Sequence, residues 1–144
     1  LGGCFAACML IGGLYFILIP LPYVFFYKFG GVMPSSMDEL LTLPGVGRKI
    51  ANLIIGDVFG LPAVVCDTHC IRICGRLGVY PEALKDPVKI EKILVGLIDP
   101  AEGPDFCHRI VNFGREVCTA RAPRCHECPM SDLCEKYGKE GHNR

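Results

Sequence analysis

The stretch LPGVGRKIAN, residues 43–52, sets two glycines one residue apart beside a proline, then passes at once to a charged pair and an apolar, helix-like run. Glycine tolerates positive φ and puts no side chain over the backbone. A turn of this kind therefore joins two helices as a tight hairpin and leaves N–H groups exposed where the second helix starts. Such groups suit a phosphate, because the helix dipole adds partial positive charge and Arg48 and Lys49 add full charges. A glycine-rich corner between helices with two surface cations is the plainer reading, and the turn alone does not choose between them.

The flanking sequence is helical in pattern. Ser36 with Glu39 three residues later is a capping box, which predicts a short helix ending near Thr42. Beyond the turn, the run Arg48 to Phe59 places Ile50, Leu53, Ile54 and Val58 on one face before Gly60 and Pro62 stop it. Asp67 stands as an N-cap before THCIRICGRLGV. Asp86 with Pro87 caps and opens a helix carrying Ile90, Ile93, Leu94 and Leu97, and a last long helix is predicted from about Pro104 to Val117. No segment alternates with period two and no internal repeat is evident, so the expected fold class is all-α.

Composition sets bounds around this core. The 144 residues make one domain's worth of chain, 51% apolar, and 15 Lys and Arg balance 15 Asp and Glu. The strong global field of an overtly basic nucleic-acid binder is therefore missing. The charges are unevenly placed, since Leu1 to Tyr27 contains none. That segment exceeds the roughly 20 apolar residues that span a bilayer, but four glycines with Pro20 and Pro22 weaken the membrane reading. It lacks the positive start of a signal peptide. A buried core helix is the alternative.

Ten cysteines are present, and Cys118, Cys125, Cys128 and Cys134 form C-x6-C-x2-C-x5-C. Four thiolates so close in sequence can surround one metal centre. Disulfides are a rival, although the remaining cysteines follow no framework. Structural zinc usually takes two matched knuckles, and only Cys125 with Cys128 makes one. An iron–sulfur cluster accepts uneven spacing, although this is not the bacterial ferredoxin run. Spacing alone leaves the metal's identity open.

Two longer stretches, MPSSMDELLTLPGVGRKIANLIIGDVFGLPAVVCDTHCIRICGRLG and FGREVCTARAPRCHECPMSDLC, together resemble the endonuclease III family of DNA glycosylases in the helix-hairpin-helix superfamily. The resemblance covers about residues 28–134 and joins the hairpin, the DTH aspartate and the four-cysteine loop in the expected order. It implies an all-α helix-hairpin-helix glycosylase fold, in part, with a C-terminal iron–sulfur loop. The implied organisation is an apolar segment of uncertain status at 1–27, the hairpin part of a six-helix domain at 28–65 and a cluster domain at 66–144. The family's [4Fe–4S] cluster falls on Cys118, Cys125, Cys128 and Cys134. Its DNA-binding hairpin falls on Leu43, Gly45, Val46, Gly47 and Arg48, its catalytic lysine on Lys49 and its catalytic aspartate on Asp67.

The implied chemistry accounts for these residue types. A neutral amine must attack C1′ of the sugar to form a Schiff base, which cationic neighbours and desolvation favour by lowering a lysine's pKa. A carboxylate stabilises positive charge building on the sugar as the base leaves and assists proton transfer. An amine at position 49, where related adenine glycosylases carry a hydroxyl residue, points to the bifunctional branch. That branch removes oxidised or reduced pyrimidines turned out of the duplex, then cleaves the strand at the abasic site by β-elimination. The implied partner is double-stranded DNA with damaged bases or abasic sites. The protein is expected to act as a monomer, in a bacterial-type cytoplasm at the nucleoid, with membrane association through residues 1–27 held as an alternative.

Family members carry more chain before the hairpin, so this sequence is expected to be a truncated or divergent member with weakened base excision. Cys66, Cys70 and Cys74 recur every four residues, as helical core positions do. Cys107 and His108 are assigned to packing and surface, and His69 to a structural role beside Asp67. Arg109, Arg115, Arg121 and Arg124 make the region around the loop locally basic and suit phosphate contacts. Two rival functions remain at this level: a sequence-neutral DNA-binding fragment without catalysis, and a membrane-anchored iron–sulfur electron carrier.

Overall fold

Helix α1, Pro20–Phe29, opens the computed structural model, which describes residues 20–141. The apolar segment 1–27 and its membrane reading lie for the most part outside the described residues. Among the described residues, no helix is long and apolar enough to cross a membrane. Of the part that is described, Val24, with Phe29 just beyond it, packs against the hairpin's apolar cluster, while Tyr23, Phe26 and Tyr27 are exposed.

Helix α2, Met37–Leu40, starts where the capping box predicts. Ser36 Oγ accepts from the backbone N–H of Glu39 at 3.4 Å, while the serine hydroxyl donates to Glu39 Oε2 at 2.7 Å. The hairpin turn leads into α3, Arg48–Leu53, which continues as a π-helical turn over Ile54–Val58. A segment without regular structure at 61–67 feeds α4, Thr68–Leu77, capped by Asp67, whose carboxylate accepts from Cys70 N–H at 2.8 Å. Helix α5, Pro87–Val95, starts at the predicted Asp86–Pro87 cap, and α6, Gly103–Glu116, is the long helix expected near 104–117. Two short 3₁₀ turns, Cys125–Glu127 and Ser131–Leu133, precede α7, Glu135–Gly141. Among the described residues there is no strand.

Two apolar clusters hold these elements. Leu40, Leu43, Ala51, Ile55 and Ala63 close the hairpin against α1. The larger cluster joins α4, α5 and α6 through Cys70, Ile73, Ile90, Leu94 and Ile110. Ile73, Ile90 and Leu94 are buried, and each such side chain contributes about 1.5–3 kcal/mol. Cys70 and Cys74 lie among them as packed core residues, in line with their four-residue spacing. Hydrogen bonding with Cys66 and Cys74, with burial added, pushes the Cys70 thiol well above its ordinary pKa and holds it protonated.

The apolar face expected for residues 48–59 is corrected. The buried apolar side chains are Ala51 and Ile55, with Asn52 and Gly56 buried beside them; Leu53 and Ile54 are partly buried, whereas Ile50 and Val58 are exposed. Small Ala51 lets α3 approach Leu40 and Leu43 closely. The π turn then inserts an extra residue, which rotates position 58 out of the stripe that a continuous α-helix would present.

Close approach of α4 and α6 depends on Gly114. A Cβ there would collide with His69 Nδ1 and stand 2.9 Å from Ile73 Cδ1. Gly114→Ala is expected to destabilise the protein by about 1–3 kcal/mol through overpacking, measured as a lower denaturant midpoint. A midpoint equal to the parent's would show that the helices separate without cost.

Candidate active site and metal centre

The hairpin separates the tasks of its residues. Gly45 has φ of 81°, a left-handed value that a side chain would strain, and Gly47 is extended with open space where a Cβ would be. The side chains of Leu43 and Val46 pack in or against the apolar cluster. Backbone N–H groups of Leu43 and Val46 are taken by Leu40 and Leu43 carbonyls at 3.1 Å, while those of Gly45 and Gly47 have no backbone partner. What this turn offers outward is therefore backbone, not apolar side chain.

Arg48 is engaged on the inner side. Its Nε and Nη2 donate to the two carboxylate oxygens of Glu91 on α5, both at 2.8 Å, and that hydrogen-bonded pairing raises the arginine's pKa further. The carboxylate is mostly buried, whereas 40% of the arginine side chain remains exposed. The pair ties the hairpin to the second cluster. Removing the carboxylate in Glu91→Ala is expected to cost about 1.5–3 kcal/mol, the range for hydrogen bonds to charged groups. Chemical denaturation measures it, and a loss under a few tenths would mean that the pair is only a surface contact.

Lys49 and Asp67 line one cavity of about 180 Å³. The segment before α4 positions the aspartate. Val65 N–H donates to Cys107 Sγ at 3.0 Å, pinning the segment to α6, and the Cys70 N–H then fixes the carboxylate. Burial raises the pKa of the Cys107 thiol. The cavity also gathers residues that the sequence did not bring together: Asn52, Asp57, His108 and Arg115. His108 Nε2 lies 3.0 Å from Asp57 Oδ1, closing the wall between α6 and the π turn. Asn52 stands three residues from Lys49, a helical spacing that was available as a signal. Asp57 and His108 are 51 residues apart and had none. His69 meets Arg72 at 3.2 Å and packs on Gly114, a structural place.

The four cysteines of the loop ring a second cavity of about 50 Å³, with Arg76 and Tyr137 among its walls. Arginines from α4 hold the loop's start. Arg76 donates to Cys118 Sγ at 3.3 Å and to the carbonyls of Thr119 and Ala120 at 2.8 and 2.9 Å, while Arg72 donates to the carbonyls of Gly114 and Cys118 at 3.2 and 3.0 Å. Arg124 N–H closes the loop on Val117 O at 2.9 Å, and Cys134 Sγ donates to Arg76 O at 3.4 Å. Burial, then the charges of Cys118, Cys134 and Cys128, raises the pKa of the Cys125 thiol, with Arg76 opposing. Four thiols around one cavity make an all-sulfur donor set of the kind an iron–sulfur cluster takes. Among the described residues, no three His, Cys, Asp or Glu side chains converge closely enough to share one metal ion. Thiols spread around a cavity fit a polynuclear iron–sulfur group better than a single tetrahedral ion. The described cysteines are all free of disulfides.

Comparisons with known proteins bear on the hairpin and on the cysteine loop. Residues 28–56 match the helix-hairpin-helix motif, and residues 118–134 match the iron-sulfur binding domain of endonuclease III. Endonuclease III of Bacillus subtilis is 43% identical over 117 residues, covering 81% of this chain and 51% of that protein. The chain belongs to the endonuclease III family. Endonuclease III of Escherichia coli is 41% identical over 106 residues, covering 73% of this chain and 49% of its own length. A trapped covalent endonuclease III–DNA intermediate superposes with a TM-score of 0.79 at 38% identity, covering 85% of this chain and 57% of that one. A non-covalent endonuclease III–DNA complex superposes with a TM-score of 0.78. The chain thus spans about half the length of the curated relatives it matches. The all-α helix-hairpin-helix glycosylase fold is confirmed in that part, and the cofactor of the family's iron–sulfur domain is the [4Fe–4S] cluster.

Proposed function

We propose that this chain carries the catalytic and cluster-binding part of a bifunctional DNA glycosylase of base-excision repair. It acts on double-stranded DNA with oxidised pyrimidines or abasic sites. The observation that supports this best is the shared cavity of Lys49 and Asp67 beside a hairpin whose outward surface is backbone N–H. The N–H groups of Gly45 and Gly47 hold a phosphate of the damaged strand, and Arg48, tied to Glu91, keeps the hairpin in place beside it. Leu43 and Val46 serve from beneath, as the apolar support of the turn.

In the cavity the neutral amine of Lys49 attacks C1′. The C1′–base bond breaks and its electron pair leaves with the base, while Asp67 stabilises the positive charge on the sugar. Ring opening gives a Schiff base, and loss of a 2′ proton expels the 3′ phosphate by β-elimination. Cys118, Cys125, Cys128 and Cys134 hold the [4Fe–4S] cluster, which supplies a cross-link for a loop with little core of its own. The division at residues 28–65 and 66–144 follows from this reading, with the hairpin and the cluster domain meeting at the cavity.

The test is borohydride reduction of the chain on duplex DNA bearing an abasic site. A covalent protein–DNA adduct is expected, because reduction freezes the Schiff base. No adduct, under conditions where a full-length relative is trapped, would overturn the catalytic reading. Asp67→Asn is expected to slow base release on thymine-glycol duplex by about 10²-fold or more while the helix stays capped, since asparagine also accepts at an N-cap. Release at the parent rate would remove the carboxylate from the chemistry.

A further inference from the structure

Asn52 is only 5% exposed, yet no hydrogen bond among the described residues involves its carboxamide. A polar side chain buried to that degree normally has a partner. Nor is it sealed off, since it forms part of the wall of the cavity that holds Lys49 and Asp67. Of the other polar groups of this wall, Asp57 is paired with His108 and Asp67 caps α4, while Lys49 and Arg115 are cations. Asn52 is thus the neutral wall group with both donor and acceptor unspent.

We propose that Asn52 reads the extruded nucleotide, pairing its N–H and C=O with the adjacent carbonyl and N–H of a pyrimidine-type base edge. This rests on the function proposed above. A carboxamide presents a carbonyl acceptor beside two N–H donors, which matches an edge that alternates acceptor and donor. The surroundings select the same ligand. The wall balances the carboxylates of Asp57 and Asp67 against Lys49 and Arg115, which suits a neutral base, and Ala63, Val65 and Val111 offer apolar surface to the faces of a ring. The position three residues beyond Lys49 puts the contact one helical turn from the amine, as a base joined to the sugar under attack requires.

The experiment measures binding of the full chain to two duplexes. One carries a thymine glycol nucleotide made uncleavable by a 2′-fluorine, and the other carries a tetrahydrofuran abasic analogue. The parent is expected to prefer the base-bearing duplex by about tenfold, as two hydrogen bonds to a buried site require. In Asn52→Leu the ratio falls to near one, with a melting temperature close to the parent's because no internal hydrogen bond is lost. Where leucine overpacks the wall and the variant does not fold, Asn52→Ala reads the same ratio. A preference that survives in the folded variant, or a parent with none, overturns the role of Asn52 alone. Failure of the parent to bind either duplex overturns the proposed function and this inference with it.

Discussion

Lys49→Gln is expected to abolish borohydride trapping on abasic DNA and to lower base excision by at least on the order of 10³-fold, as the loss of a covalent nucleophile does. Glutamine has no basic nitrogen able to add to C1′, so no Schiff base forms for the hydride to reduce. DNA affinity falls far less, because the hairpin's backbone N–H groups remain. The side chain is exposed at the cavity mouth, so stability stays within about 0.5 kcal/mol of the parent. Adduct formed in undiminished yield would place the nucleophile elsewhere. A lost adduct accompanied by lost DNA binding would show Lys49 acting as a phosphate contact instead.

Cys128→Ser is the second large effect. The purified parent is expected to be brown and to contain iron, and this variant to lose most of its iron and visible absorption. A hydroxyl is a poor substitute for a thiolate on iron, and losing one ligand opens the whole centre. The consequence extends beyond colour. Among the described residues the loop's own order rests on short 3₁₀ turns and on the clamps from Arg72 and Arg76, with little buried apolar surface between residues 119 and 134. Limited proteolysis is therefore expected to cut the variant within this loop and leave the parent intact. Cys70→Ser is the control: its hydroxyl enters the apolar core and costs about 1–3 kcal/mol, while iron is retained. Equal iron loss in both variants would place Cys70 at the centre, and zinc in place of iron in anaerobically prepared parent would refute the cluster.

The separation between these two centres has a physical basis in α4. Its N-terminus is capped by Asp67 at the cavity, and nine residues later its last turn carries Arg76 against Cys118. One rigid helix therefore fixes the distance from the site of proposed chemistry to the metal loop. Gly114 sets how closely α6 lies along it.

Local features were legible in the residues themselves. The capping box at Ser36, the N-caps at Asp67 and Asp86 and the turn at Gly45 are each decided within about four positions by backbone groups that need a nearby partner. The four-cysteine loop was equally readable, since its cysteines lie within 17 residues. Tertiary structure decided what distant chain segments do to one another. The helix after the hairpin turned a different face inward because Ala51 meets Leu40 and Leu43, and a π turn shifted the register beyond Ile54. Arg48 was a free cation in the sequence and became half of a pair with Glu91, 43 residues away. His108 was assigned with Cys107 to packing and surface, and nothing singled out Asn52 or Asp57, until α3, the π turn and α6 closed around one cavity. Capping and turn formation are settled by short-range hydrogen bonds, which a sequence displays in order. Cavity walls and buried ion pairs arise from the packing of elements far apart in the chain, and only the folded arrangement specifies which side chains are left facing them.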